Sequence, residues 1–296
     1  MVDIELFDPW KINADLHCHS NISDGKLEPE AVVQRAKDFG VEVLALTDHD
    51  ELKGLARASA EAKVQGLTFV HGVEVSVTWA GTTIHIVGLN IDPHNETLAN
   101  SLRSVRSGRA LRAQEMAAKL EKLGIPNAYE GALKFVGNPD LIARTHFARY
   151  LVEAGVCTDM HQVFDKYLGD GKPAHIQQDW AKLSDAVSWI VGAGGTAVVA
   201  HPARYRFNDV KMWAFFQEFK DAGGKAIEVI SGSHTKADYV RYANYAREFG
   251  FLGSRGSDFH APYETHIELG AVPALPDSVK PVWWDWPEIV ERFTTH

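Results

Sequence analysis

This chain is short of the features that would place it outside ordinary globular proteins. Two cysteines, Cys18 and Cys157, among 296 residues are too few for a disulfide framework and suit a reducing compartment. No apolar run approaches the roughly 20 residues that crossing a bilayer requires, so no membrane partner is expected. The first residues, MVDIELFDPWKINADLH, lack a basic start and an apolar h-region, and a soluble, cytoplasmic protein is expected. Positive charge is in deficit: 30 Lys and Arg face 39 Asp and Glu, a formal net charge of −9. That argues against a stable complex with nucleic acid, whose phosphates are held by excess Lys and Arg. A small phosphorylated substrate stays open, because bound cations can reverse the sign of a site. Repeats and low-complexity tracts are absent. A composition 45% hydrophobic and 23% charged is that of a chain with a large core.

Short β-rich runs alternate with helical ones over the first hundred residues. Strands are expected at 12–17, 41–47, 67–77 and 83–89. PEAVVQRAKDFG lies between the first two, with Pro29 suited to a first helical turn and Gly40 to its stop. This β-α-β-α order predicts parallel strands joined by right-handed crossovers. The rhythm breaks near residue 93, where one long helix is expected from 96 to about 123. Strand character returns at 195–200, 226–230 and 251–254. The expected organisation is therefore a discontinuous α/β barrel at 11–94 and 179–276, a helical insertion or cap at 95–178, and a tail at 277–296 packing on the barrel. The insertion holds eleven basic and nine acidic residues, so the rest of the chain carries a formal −11.

Fourteen histidines are present, and several fall with carboxylates at expected strand ends. Asp15-Leu-His17-Cys-His19 follows the first strand, then Asp24. Asp48-His49-Asp50 follows the second. Glu74 ends the third, His85 opens the fourth, His201 follows the fifth, and Asp258-Phe-His260 follows the seventh. In α/β barrels the carboxyl ends of strands converge on one face, where active sites form. His-x-His on a strand turns both rings to one side. One strand-end histidine is usually a bonded structural residue, but six elements in strand order point to a metal centre. Imidazole with carboxylate suits Zn²⁺, Mn²⁺ or Fe²⁺.

The stretches DLHCHSNISDG, ALTDHD, GVEVS, HIVGL, RTHFARYL, AHPARY and GSDFHAP resemble the polymerase and histidinol phosphatase (PHP) superfamily. Within it, the chain looks most like bacterial 3′,5′-nucleotide bisphosphate phosphatases and the related 5′-to-3′ exoribonuclease group. The resemblance implies an α/β fold, a distorted (β/α)7 barrel with a helical insertion, and three divalent ions per chain, Mn²⁺ by preference with Fe²⁺ or Zn²⁺ open. It implies one ion on His17, His19, Glu74 and Asp258, a second sharing Glu74 and adding His85 and His201, and a third on Asp24, His49 and His260. Some superfamily members carry His where Asp24 stands. The resemblance also makes Arg144 and Arg204 phosphate contacts, with His146 a further candidate.

The expected reaction is hydrolysis of the 3′-phosphate of nucleoside 3′,5′-bisphosphates such as pAp by metal-activated hydroxide, with no protein nucleophile. The alternative is a 5′-to-3′ exoribonuclease on short 5′-phosphorylated RNA, a phosphodiesterase using the same site. A non-catalytic metal-binding accessory module expects lost ligands, whereas every ligand position is filled; a metal-dependent amidohydrolase is more distant still. Cys18 is expected to point away from its histidine neighbours. Asp15, Asp48 and Asp50 suit supporting or helix-capping roles. His71, His94, His161, His175, His234, His266 and His296 match no ligand position. Arg103, Arg106, Arg109 and Arg112 are expected mostly on a solvated helix face; lining the cap instead, they could guide a nucleotide or short RNA end. The tryptophans of VWWDWP are expected to pack.

Overall fold

The structure, a computed structural model, describes residues 8–264 and 267–294; His266 and His296 lie outside them. Seven strands follow one another in space as in sequence: β1 (Ala14–Asp15), β2 (Val43–Leu46), β3 (Thr68–Trp79), β4 (Thr82–Leu89), β5 (Thr196–Val199), β6 (Ala226–Ser231) and β7 (Leu252–Gly256). The chain just past β1 returns to the far edge: Leu16 N–H donates to the Arg255 carbonyl at 3.0 Å, and Cys18 pairs in parallel with Phe259. The sheet is thus nearly closed into a barrel. β2 (VLAL) and β6 (AIEVIS) are buried along their whole length, as expected of strands covered on both faces.

Two expectations fail here. β3 pairs antiparallel with β4, and β4 antiparallel with β5, so β4 alone runs against the other strands. The cause is the link between β3 and β4: Ala80 and Gly81, both at positive φ, make a two-residue hairpin turn. A parallel crossover needs a dozen residues or more. The long helix also divides, into α3 (Glu96–Arg106) and α4 (Arg109–Lys122), at Ser107 and Gly108.

The outer helices are α1 (Pro29–Asp38), α2 (Leu55–Gln65), α8 (Leu183–Gly192), α9 (Asp209–Asp221) and α10 (Lys236–Phe249). Local signals set their ends: Pro29 opens α1, and α10 starts at a Thr235–Asp238 capping box and stops at Gly250 in the left-handed region. From α9, Phe215, Phe216 and Phe219 are fully buried against the sheet, each contributing on the order of 1.5–3 kcal/mol. Between β4 and α8, α4 packs with α5 (Ala128–Leu133), α6 (Arg144–Glu153) and α7 (Met160–Val163) around a separate apolar cluster that includes Met116, Leu120, Phe147 and Leu151. Leu98 and Leu102 of α3 instead join the barrel's core. Near the end, α11 (Pro287–Thr294) and the segment before it pack on the barrel through Val282, Trp283 and Ile289, so the tryptophan-rich stretch is largely packing. No described helix is long and apolar enough to cross a membrane.

Candidate metal centre

Closure of β1 on β7 builds the floor of the site. The buried Asp15 carboxylate accepts from Ser257 N and Gly270 N, both at 2.8 Å. Asp258 N then donates to the His17 carbonyl, and His19 N to the Phe259 carbonyl. His17, His19, Asp258 and His260 are thereby set side by side. The two rings share a side, with Nε2 atoms 3.2 Å apart, while Cys18 Sγ turns away to the Ala45 carbonyl. His17 Nε2 and His19 Nε2 lie 3.5 and 3.3 Å from Asp258 Oδ1.

Glu74 is the hub. It does not end β3 but sits within it, level with the end of β2's pairing, because Asp50 N donates to the Glu74 carbonyl and Glu74 N to that of Asp48. Beyond this point β3 and β4 continue past the rim as a hairpin arm, so His85 lies mid-strand too. Glu74 Oε1 is 2.8 Å from His85 Nδ1, 3.0 Å from His201 Nε2 and 3.4 Å from His17 Nε2; Oε2 is 2.9 Å from His49 Nδ1 and 3.3 Å from His19 Nε2. On the other side, Asp24 Oδ1 lies 3.3 Å from His260 Nε2 and 3.8 Å from His49 Nε2. His49 therefore faces Glu74 with one nitrogen and Asp24 with the other.

The donor set fits divalent cations on an observation internal to the structure. His19 Nδ1, Asp24 Oδ1, His49 Nδ1, Glu74 Oε2 and His85 Nδ1 are buried yet find no hydrogen-bond partner among the described residues. Orphaned buried polar atoms are costly, and lone pairs converging at these spacings are what a cation satisfies. Three groups, His19-Asp24-His49-His260, His17-His19-Glu74 and His49-Glu74-His85, could each hold an ion.

The electrostatics agree. Burial alone would raise the carboxyls of Asp24, Glu74 and Asp258, but the surrounding imidazoles, with Arg204 at Asp258, hold all three well below the usual carboxylate range. Burial opposes charge on His19, yet Asp258 and Glu74 outweigh it and push the ring up to about 10. His201 is driven down to about 4 by burial, with Arg204 adding to the effect. His201, Asp258 and Asp50 all take positive φ, a strain that clusters at functional sites.

Surrounding groups orient these side chains. Glu228, which sequence reasoning passed over, accepts from His17 Nδ1–H at 2.6 Å through Oε1 and from His201 N at 2.6 Å through Oε2. A register shift between β6 and β7 falls between Glu228 and Ile230; such bulges re-aim side chains. The signal was one acid inside AIEVI. Asp48 accepts from Ser20 and Ser23, and Asp50 from Ser76, as supporting roles require.

Above the site stands a wall of guanidinium groups, which overturns the expected solvated face for three of four arginines. Arg106 donates to the Asp50 carbonyl, and buried Arg109 pairs with the Asp50 carboxylate. Arg109 and Arg112 lie over the Trp180 ring at 4.7 and 5.2 Å. Trp180 is held by the hairpin arm through Thr78. Arg112 bonds the Ile176 carbonyl; burial, then Arg144 and Arg109, push it down to about 9 against the opposing pull of Asp170. The face is turned inward because Arg109 bonds Asp50 and Ser76 and, with Arg112, covers Trp180. Arg144 reaches exposed Asp170 at 2.9 Å, whereas Arg204 donates to Asp258 Oδ2 at 2.7 Å, at the centre itself. His146 is buried: its Nδ1 accepts from Ala143 N, so Nε2 carries the proton, and Nε2 has no partner among the described residues. Burial depresses it to about 4.

Fold and donor set together define a β/α-barrel protein suited to divalent cations at one rim of its sheet. The chain belongs to the PHP domain family, whose match covers residues 15–231. It is 49% identical to a 3′,5′-nucleoside bisphosphate phosphatase of Chromobacterium violaceum, over 92% of this chain and 95% of that one. It is 44% identical to a 5′-3′ exoribonuclease of Haemophilus influenzae, over 91% of this chain and 97% of that one. A solved structure described as an amidohydrolase from Chromobacterium violaceum, with bound sulfate and no metal, superposes with a TM-score of 0.90 at 48% identity, covering 95% of this chain and 96% of the other.

Proposed function

We propose that this chain is a metal-dependent phosphoesterase that removes the 3′-phosphate from nucleoside 3′,5′-bisphosphates such as pAp. The observation carrying this reading is a buried cluster of imidazole and carboxylate atoms that find no hydrogen-bond partner among the described residues, with the Arg204 guanidinium bonded to Asp258 at its edge. Similarity to the bisphosphate phosphatase supports the substrate class. Three divalent ions are proposed, Mn²⁺ by preference: one on His17, His19, Glu74 and Asp258, one on Glu74, His85 and His201, and one on Asp24, His49 and His260. Bound there, they would supply Lewis acidity and acidify water.

The chain's own groups position the substrate. Arg204, beside Asp258, grips the phosphoryl group that transfers. Arg112 and Arg144 hold the second phosphate and thereby orient the first. His146 offers its Nε2–H from the insertion, which acts as a cap. Glu228 keeps the His17 proton on Nδ1 and so aims its Nε2 lone pair inward. No side-chain nucleophile is needed: the Cys18 thiol is bonded away from the site, and Ser20 and Ser23 are committed to Asp48.

Similarity to the exoribonuclease supports a second reading, cleavage of short 5′-phosphorylated RNA at the same centre. Hydrolysis of pAp, AMP, a 5′-phosphorylated trinucleotide and histidinol phosphate, measured with each of Mn²⁺, Fe²⁺ and Zn²⁺, separates them. The proposal expects phosphate release from pAp to be fastest. Faster shortening of the trinucleotide selects the second reading, and cleavage of histidinol phosphate alone defeats both.

A further inference from the structure

The turn after β5 carries two residues that face the centre, His201 and Arg204, on either side of Pro202 and Ala203. It is one tight 3₁₀ turn, and His201 enters it at φ 27° and ψ 57°, outside the comfortable regions for a residue with a side chain. A backbone held there persists only if its surroundings fix it. One end is fixed by the Glu228 carboxylate, which accepts from His201 N. Within the turn, Arg204 N and Tyr205 N bond the carbonyls of His201 and Pro202, which leaves Ala203 N without an intraturn acceptor.

His234 supplies that acceptor. It lies in the connection between β6 and α10 and is 6% exposed. Its Nδ1 is 3.1 Å from the Val229 carbonyl and its Nε2 is 3.3 Å from Ala203 N. Only the tautomer with the proton on Nδ1 satisfies both, donating to Val229 and accepting from Ala203. The ring is stacked on Tyr242 of α10, centroids 5.1 Å apart and planes 26° apart, so it cannot swing freely. Burial keeps it below the ordinary histidine range and hence neutral near pH 7.

We propose that His234 is a positioning residue, a rigid strut from β6 and α10 that fixes the Ala203 amide and through it the approach of Arg204 to the phosphoryl group. The inference rests on the proposed role of Arg204. Because Glu228 pins His201 separately, loss of the strut releases the Arg204 end of the turn and leaves the imidazole end in place.

A double-mutant cycle on pAp hydrolysis by the full-length, Mn²⁺-loaded enzyme tests this. His234→Ala is expected to lower kcat/KM about 10-fold, the scale of a misplaced contact group, with bound metal unchanged. In an Arg204→Ala background the same change is expected to cost less than about 2-fold, since coupled residues are non-additive. His234→Gln, whose amide oxygen can reach Ala203 N, is expected to recover most of the rate. A merely structural role would lower the melting temperature but cost the same factor in both backgrounds, and that additivity overturns the inference alone. A wild-type rate for Arg204→Ala overturns the substrate reading and the inference with it.

Discussion

Glu228 has the properties of a charge that a barrel would not bury without use: it is 1% exposed, sits in a wholly buried strand, and each of its oxygens is committed to a different histidine. A carboxylate on the far nitrogen of a ligating imidazole fixes the tautomer and raises the basicity of the near nitrogen. Glu228→Gln keeps the shape and removes the charge, and is expected to weaken Mn²⁺ binding or activity by about 10- to 100-fold. Metal titration followed by pAp kinetics checks this; values within about 2-fold of wild type would remove Glu228 from the design. The same residue shows what sequence reading catches at this scale. Polar groups in HxH, TDHD and SDFH stand in recognisable strings, and the structure brings the six named histidines around Glu74 and Asp24. Glu228 has no such neighbours in sequence, so its meaning exists only once β6 lies beside His17. The inward turn of Arg112 was not legible for a different reason. Which side of α4 is solvated depends on Trp180 and the hairpin arm, which are remote in sequence.

Strand positions were legible from apolar runs, but strand direction was not read correctly. The few residues between the third and fourth runs already forbade a crossover, and Ala80-Gly81 is a hairpin signal that composition alone does not weigh. The consequence for function is specific: reversal of β4 lets β3 rise past the rim, which puts Glu74 mid-strand and gives Trp180 its support. Closure at the opposite edge depends on another feature of the elements. An added Cβ at Gly256 of β7 would fall 2.4 Å from His17 Cβ and 2.8 Å from His17 N, distances that neither strand can yield without moving. Gly256→Ala is therefore expected to push β1 from β7 just where His17 and His19 are aimed. The expected cost is about 1–3 kcal/mol of stability, the usual range for overpacking, together with a loss of metal affinity larger than that stability change alone would produce. Urea unfolding of the metal-free protein and Mn²⁺ titration of the folded protein measure the two separately. Undiminished metal affinity would mean that strand closure does not set the ligand geometry.

At the level of the whole molecule, protons and cations compete for one buried centre inside a protein of net charge −9. The deficit of basic residues, legible from composition, argued against a nucleic-acid coat but said nothing of this competition, which arises from burial. Against burial, which favours their neutral forms, the carboxylates around them raise His17 well above its ordinary value and His19 to about 10. A histidine raised in the folded state contributes stability that is fully present below its unfolded value of about 6.5 and is lost as pH rises through the folded value. The metal-free protein should therefore lose that contribution between roughly pH 6.5 and 10, as the carboxylates shed their proton-borne counter-charge. Cations replace protons as that charge, and their binding strengthens over the same interval because the imidazoles must be neutral to ligate. The gap in melting temperature between Mn²⁺-loaded and chelator-treated protein is accordingly expected to widen from pH 6.5 to 9. Differential scanning calorimetry at several pH values measures it directly. A gap that stays constant or narrows would mean that His17 and His19 are neutral when the metal is removed, and that something other than the ligand cluster balances Glu74 and Asp258.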